Sequence, residues 1–341
     1  TGPLFRSLLP RFLASAPSAS DIPVREGPWT WGSRRGEIDL GIPRNNPKGE
    51  SASSQTASRG QLMGHRVLAI LNEGASSTTS LVADPVDGSL RALKHAVRES
   101  SSDDALLERL TDEHEIVRRF DHAGVRRVHR LQRIRSRFRL REVGLFQQYV
   151  DGPTLDRWTP TNGDAILEVM EQLGRAVSHV HDQGYVHGSI RPRHVVVDHQ
   201  DFPVLIGFGD ATEDGMVAEV GSGNPGYSGP EQFLGGVLTP RSDIFGFAAT
   251  MAAMIFRNRL AMADARELCA ADWIDLHAHW IEELDRRTTS VGLVRLMEQC
   301  LQPDRRHEHR QLDGPAEDGR RGRPPADIDE HARPEPGCWA E

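Results

Sequence analysis

Lysine is almost missing from this chain. Of its 41 lysines and arginines only Lys48 and Lys94 are lysine. The formal net charge of −8 gives no support for a general nucleic-acid-binding role. Cysteine is equally scarce. Cys269, Cys300 and Cys338 are far apart and odd in number, which excludes a disulfide framework and a zinc knuckle and favours a reducing, cytoplasmic or intracellular setting. Long apolar runs are absent too, and none approaches the ~20 residues needed to span a bilayer. The opening "LFRSLLPRFLASA" carries no acid, but Pro10 and Arg11 interrupt it, so it makes a poor targeting segment. The chain opens on Thr1 instead of methionine, as a fragment of a longer chain would.

What is present falls into three stretches. Residues 1–60 are rich in Ser, Pro, Gly and Arg without a sustained period, and read as a disordered extension. Residues 309–341 read as a charged, flexible tail. Between them, "HRVLAIL", "STTSLVA" and "SLRALKHAV" have the look of short strands, the last two joined by the turn "DPVDG". A helix is expected from Asp103 to Phe120 with Ser102 as N-cap, then strands over Val125–Ile134 and Phe138–Val150. From Gly163 the pattern turns helical, with Ile166, Val169, Met170, Leu173, Val177 and Val180 on one face. Further helices are expected over Ser242–Phe256 and Val291–Leu301. Five strands with one helix, followed by a helical region, describe an α+β protein of two lobes: 61–148 and 149–308.

Lys94 is the residue to begin with. In a chain that otherwise uses arginine, a lysine on a strand marks a place for a compact ammonium instead of a planar fork. Nineteen residues on, in the expected helix, stands Glu113. Upstream lies the small-residue loop "ILNEGASSTTSLVA", and downstream come "YVHGSIRPRHVVVD", "VLIGFGDA", "GNPGYSGPEQF", "SDIFGFAATMAAMIF" and "CLQPDRRHE". In this order and spacing, from about His65 to Arg306, the pieces resemble the eukaryotic-like Ser/Thr protein kinase family.

The resemblance implies a nucleotide site formed by Asn72, Gly74, Ser77, Ala92, Lys94, Glu113, Gln148, Val150 and Val196. Asn72, Gly74 and Ser77 align with the family's three loop glycines, so one of three is kept, which weakens the cradle for ATP phosphates. Lys94 and Glu113 would form the pair that sets the lysine on those phosphates, or simply hold helix to sheet.

The catalytic positions differ from the family's. Gly207, in Gly207-Phe208-Gly209, replaces the magnesium-binding aspartate, and His194 replaces the second metal ligand; neither suits this hard cation. Ser189 stands at the catalytic base and Arg191 replaces the loop lysine. Loss of acid–base help alone removes about 10²–10⁴ in rate, and loss of both metal anchors removes more. Nearby carboxylates are Asp198 and Asp210, and Asp210 is the candidate for a relocated ligand.

Other matches concern architecture. His187 is expected against Phe208, Asp243 beneath the loop, and Glu231 paired with Arg305 or Arg306. Gly188 replaces the family's arginine, so a phosphorylated activation segment would lack its usual partner.

Lastly, "RIRSRFRLRE" alternates Arg133, Arg135, Arg137, Arg139 and Arg141. On a single strand these would line one face, either simply solvated or docking an anionic partner.

The expectation is a kinase-like domain that works as a pseudokinase, through binding of protein partners as a scaffold or through nucleotide sensing, with ATP a candidate ligand and magnesium weak or absent. The alternative is a weakly active Ser/Thr kinase using Lys94 and Asp210.

Overall fold

The structure, a computed structural model, describes residues 60–73, 77–100, 103–136, 139–224, 226–256, 281–282 and 291–301. The expected disordered extension, the tail, Ser102, Gly74, Arg137, Arg305 and Arg306 lie outside these residues.

Six strands form one antiparallel sheet: β1 (Gln61–Leu62), β2 (His65–Glu73), β3 (Thr78–Ala83), β4 (Leu90–Val97), β5 (Val128–Ser136) and β6 (Arg139–Gln148), in the order β1-β2-β3-β4-β6-β5. One strand more than expected is present, because Met63 and Gly64 both adopt positive φ (50° and 83°) and close a two-residue hairpin onto β2. The "DPVDG" turn joins β3 to β4 as expected. The Asp84 side chain accepts from the Val86 N–H at 2.9 Å, and Gly88, at φ 71°, closes back on the Asp84 carbonyl.

The strand expected from Val125 starts three residues later. Val125 instead bridges in parallel to Leu205 of the helical lobe, tying the lobes together at the approach to β5. The single-strand reading of the arginine run is also corrected. The chain turns between Ser136 and Arg139, so Arg133 and Arg135 lie on β5 while Arg139 and Arg141 lie on the antiparallel β6. Hairpin reversal, with a register shift after Ile134, replaces the one continuous face that strict alternation on a single strand would give.

Helix α1 (Asp104–Val117) packs on the sheet through Leu107 and Leu110 against Ala96 and Val143. The Asp103 carboxylate accepts from the backbone N–H groups of Glu99 and Ser100, fixing the chain as it enters the helix. The helix ends three residues before the expected Phe120. That ring instead packs near Tyr185 and Phe208, with centroids 5.8 and 5.6 Å away.

In the helical lobe α2 (Gly163–Asp182) starts on Asn162, whose side chain accepts from the Ala165 N–H at 2.9 Å. Its expected stripe, Ile166 through Val180, is buried throughout. Next come the short pairs β7 (Tyr185–Val186) with β10 (Thr212–Glu213) and β8 (Val195–Val197) with β9 (Pro203–Leu205). The short α3 (Pro230–Leu234) precedes α4 (Pro240–Phe256), and α5 (Val291–Leu301) packs on α4. Apolar residues occupy nearly every turn of α4, including Ile244, Phe245, Phe247, Ala248, Met251 and Ala252, as a helix sunk in the core requires.

Leu173, fully buried at the middle of α2, tests this core. Leu173→Ala is expected to lower unfolding free energy by about 2–5 kcal/mol, read from the midpoint of urea denaturation.

Candidate functional site

The loop after β7 is built on one buried carboxylate. Asp243, in the first turn of α4, accepts from the backbone N–H groups of His187 (2.7 Å, Oδ2) and Gly188 (2.9 Å, Oδ1), and from His181 Nε2 at 2.8 Å. Burial alone would push its pKa up, but the His181 hydrogen bond and charge, with the contribution of His187, hold it below the usual carboxylate range. His187 is wholly buried and packs edge-on against Phe208 at 4.5 Å between centroids, as expected. Its Nε2 donates to the Ile206 carbonyl and its Nδ1 accepts from the Ser189 N–H, so the ring is neutral, and burial depresses its pKa.

The two positions aligned with metal ligands lie face to face. Gly207 has φ 81°, and a Cβ placed there would fall 2.7–2.9 Å from three atoms of the His194 ring. The imidazole therefore fills the space a side chain at position 207 would use. His194 Nδ1 donates to the Ser189 carbonyl at 2.7 Å, while Nε2 accepts from Arg191 Nη2 at 3.0 Å and Nε at 3.3 Å. Burial first, then the charge of Arg191, puts the His194 pKa well below its ordinary 6.5. Both ring nitrogens are thus committed, and neither offers a cation a lone pair. The remaining position is occupied too: buried Ser189 accepts a hydrogen bond at Oγ from Asn224 Nδ2 at 2.8 Å.

These side chains do not fit a magnesium ion held in the family's manner. Asp198, one of the nearby carboxylates, accepts the backbone N–H groups of Gln200 and Phe202 at Oδ1 in the β8–β9 turn. Asp210 is exposed, and its charge offsets the effect of burial on Arg191. Gly188 leaves no space for a larger residue: at φ 72° its Cβ would lie 2.7 Å from the Asp210 carbonyl oxygen.

The sheet side is intact. Lys94 Nζ meets Glu113 Oε2 at 2.6 Å across the gap between β4 and α1. Glu113 Oε1 accepts from Gln147 Nε2 at 3.0 Å, and Gln147 Oε1 in turn accepts from Arg126 Nη1 at 3.3 Å. Burial lowers the Arg126 pKa to about 10, with Glu113 opposing the shift. Gly209 approaches this pair so closely that a Cβ would lie 3.2 Å from Lys94 Nζ. A cavity of about 270 Å³ opens between α1 and residues 208–222, lined by Asp112, Glu113, Phe208, Asp210 and Glu219 among others.

Residues placed on the purine side fall into two groups. Ala92 is fully buried in the ladder opposite Gln147, while Val150 and Val196 pack together with Val204. Gln148, at the end of β6, exchanges hydrogen bonds with the backbone of Arg127. Asn72 pairs with Thr79 near the end of β2, and Ser77 precedes β3. Gln147, Arg126 and Asn224 were not singled out from the sequence. Gln147 had a signal, since it shares β6 parity with buried Val143 and Leu145, where a polar residue requires a partner. Asn224 had none.

A lysine–glutamate pair under an antiparallel sheet, facing a histidine-led loop held by a buried aspartate, defines a protein of the kinase class. Residues 65–310 match the family model described as the protein kinase domain, and the chain belongs to that family. The chain is 25% identical over 195 residues to the serine/threonine-protein kinase PrkC of Bacillus subtilis, covering 55% of this chain and 29% of that protein. It is 26% identical over 168 residues to PknH of Mycobacterium tuberculosis (47% and 26%) and 28% identical over 166 residues to PknA of the same species (45% and 38%). The matched regions span well under half the length of these relatives.

Two outcomes follow. Gly207→Asp, whose side chain tolerates positive φ but meets the imidazole, is expected to destabilise the domain by about 1–3 kcal/mol. Adding His194→Asn is expected to recover most of that loss, so the thermal midpoints of the two single variants and the double form a non-additive cycle. Neutral His187 and His194 also set a pH dependence. Both pKa values are depressed in the folded state, so the unfolded chain binds more protons below its ordinary 6.5. Their stabilisation is present above that value and declines as pH falls through it, with a slope of at most about 1.4 kcal/mol per pH unit per histidine. Urea denaturation between pH 7.5 and 5.5 is expected to show stability falling most steeply below 6.5, with a smaller fall in His194→Asn.

Proposed function

We propose that this kinase domain is a pseudokinase, catalytically impaired and acting through what it binds. The observation that carries the reading is the His194 ring packed against Gly207, with both its nitrogens hydrogen-bonded. Phosphoryl transfer depends on positioning and on electrostatic stabilisation by metal ions held at the site. Here a neutral ring fills the space where a metal-binding carboxylate would project. A hydroxyl satisfied by Asn224 stands where a base would accept the substrate's proton. The Lys94–Glu113 pair supports a fold that keeps its shape, since removing the cation from a buried carboxylate is costly whether or not chemistry occurs.

The test is transfer of labelled phosphate from ATP, with magnesium or manganese, to the chain itself and to a generic basic protein substrate. No incorporation above the Lys94→Met background is expected. Magnesium-dependent incorporation lost in both Lys94→Ala and Asp210→Ala would overturn the reading and establish a weakly active Ser/Thr kinase with a relocated ligand.

A further inference from the structure

One face of the fold and one stretch of the sequence are left without a role, and their chemistry is complementary. The cavity of about 270 Å³ between α1 and residues 208–222 does not stand alone. A second, of about 300 Å³, shares Asp112, Ala211 and Thr212 with it and continues past Ile116 and Arg119 to Met216. Together they form a groove beside α1 from Arg109 to Arg119, roughly 15 Å long at the helical rise per residue. Its walls carry six carboxylates, Asp112, Glu113, Glu115, Asp210, Glu213 and Glu219, against those two arginines. Both arginines are engaged: Arg109 pairs with Glu219 at 3.0 Å, and Arg119 lies over the Tyr185 ring. Glu113 is held by Lys94, and Glu115 by His114 and Arg118. Asp112, Asp210 and Glu213 are exposed and in no ion pair among the described residues, and Asp210 shares the charge of Arg191 with Asp156. Met216 and Val217, 52% and 67% exposed, add apolar surface to the same wall. Surplus acid beside exposed apolar side chains suits a segment that is itself apolar and cationic.

The chain carries such a segment. Residues 4–16, "LFRSLLPRFLASA", combine six leucines and phenylalanines with Arg6 and Arg11, and no acid precedes Asp21. We propose that this segment is the occupant of the groove, its arginines on the unpaired carboxylates and its leucines and phenylalanines over Met216 and Val217. Charge is one support: the groove is acidic beyond its own arginines, and the segment is basic without any acid. Reach is the other. Residues 17–60, fully extended, span more than ~100 Å, well beyond the diameter of a domain of this size. Tethering also sets an effective concentration of about millimolar order, far above what a second copy in dilute solution supplies, so modest contacts suffice. Seating of the segment is independent of whether the domain transfers phosphate, which the labelled-phosphate assay reads separately.

The experiment sets the tethered segment against the same segment free in solution. A fluorescein-labelled peptide of residues 4–16 is titrated by anisotropy into the full chain and into the full-chain variant Arg6→Glu/Leu9→Asp/Arg11→Glu, whose own segment no longer suits the groove. The peptide is expected to bind that variant roughly tenfold or more tightly than it binds the unmodified chain, where the groove is filled in cis. Adding Asp112→Lys/Glu213→Lys to the variant is expected to lose roughly tenfold or more of the binding, as is adding Val217→Asp. These positions are exposed, so the thermal midpoint is expected to stay close to that of the unmodified chain. Should the double lysine change fail to fold, Val217→Asp reads the same groove. The preference for the variant is expected to survive roughly tenfold dilution of the chain, as tethered occupancy requires. A preference that vanishes on dilution assigns the groove to a second copy and overturns the proposal. So does equal binding to both chains, no binding to the variant, or binding that the groove substitutions leave unchanged.

Discussion

Asp243 is the constraint on which the site depends. A carboxylate buried at 1% exposure is affordable only when every strong acceptor direction finds a donor. Asp243 finds three: two backbone N–H groups from the loop and one ring nitrogen from α2. The backbone donors are consecutive, so the carboxylate fixes the direction in which the chain leaves β7 and hence where Ser189, Arg191 and His194 stand. Gln232 adds a further tie by donating to the Gly188 carbonyl at 2.7 Å, linking α3 to the same turn. The loop is thereby held by the helices beneath it, through contacts to its backbone.

A loop held from beneath keeps its shape whatever side chains it carries above. The replacements at this site satisfy one another. His194 fills the space left by Gly207 and donates to the Ser189 carbonyl, and Arg191 satisfies the other nitrogen of the ring. Ser189 in turn meets Asn224, which joins the loop to the segment before α3. A serine or a histidine placed alone in a site shaped for carboxylates would leave buried polar atoms unpaired, at about 1–3 kcal/mol each. As a group they leave few. The set is better understood as one repacked cluster than as separate substitutions.

Much of this was legible in the sequence, and the reasons are physical. The α2 stripe and the extent of α5 were readable because burial enforces a helical period. Lys94 and Glu113 were readable because their residue types are scarce or specific in context, and Asp243 and His187 because they sit within ordered motifs. Contacts among substituted residues were not legible. A glycine at 207 reads as an absence, and only the fold shows that the absence is filled by a ring thirteen positions earlier in the chain. The arginine run failed for a related reason: alternation marks a strand, but it cannot show a reversal at Ser136–Arg139 that keeps arginine on both arms of a hairpin. The two-residue β1 depended on Met63 accepting positive φ, which its residue type does not announce.

The relay behind Lys94 bears on what such a domain can be used for. Glu113 is held on both oxygens, by Lys94 from the sheet and by Gln147 from β6, and Gln147 is itself held by Arg126 at the approach to β5. Helix α1 is therefore fixed to the sheet by side chains alone. In a domain where the lysine pair forms only when phosphates or a modified activation segment favour it, the position of that helix reports the occupancy of the site. Here the pair is supported from behind, and Gly188 offers no arginine to read a modified segment. The position of α1 against the sheet is then set by Glu113 and the two partners that hold its oxygens.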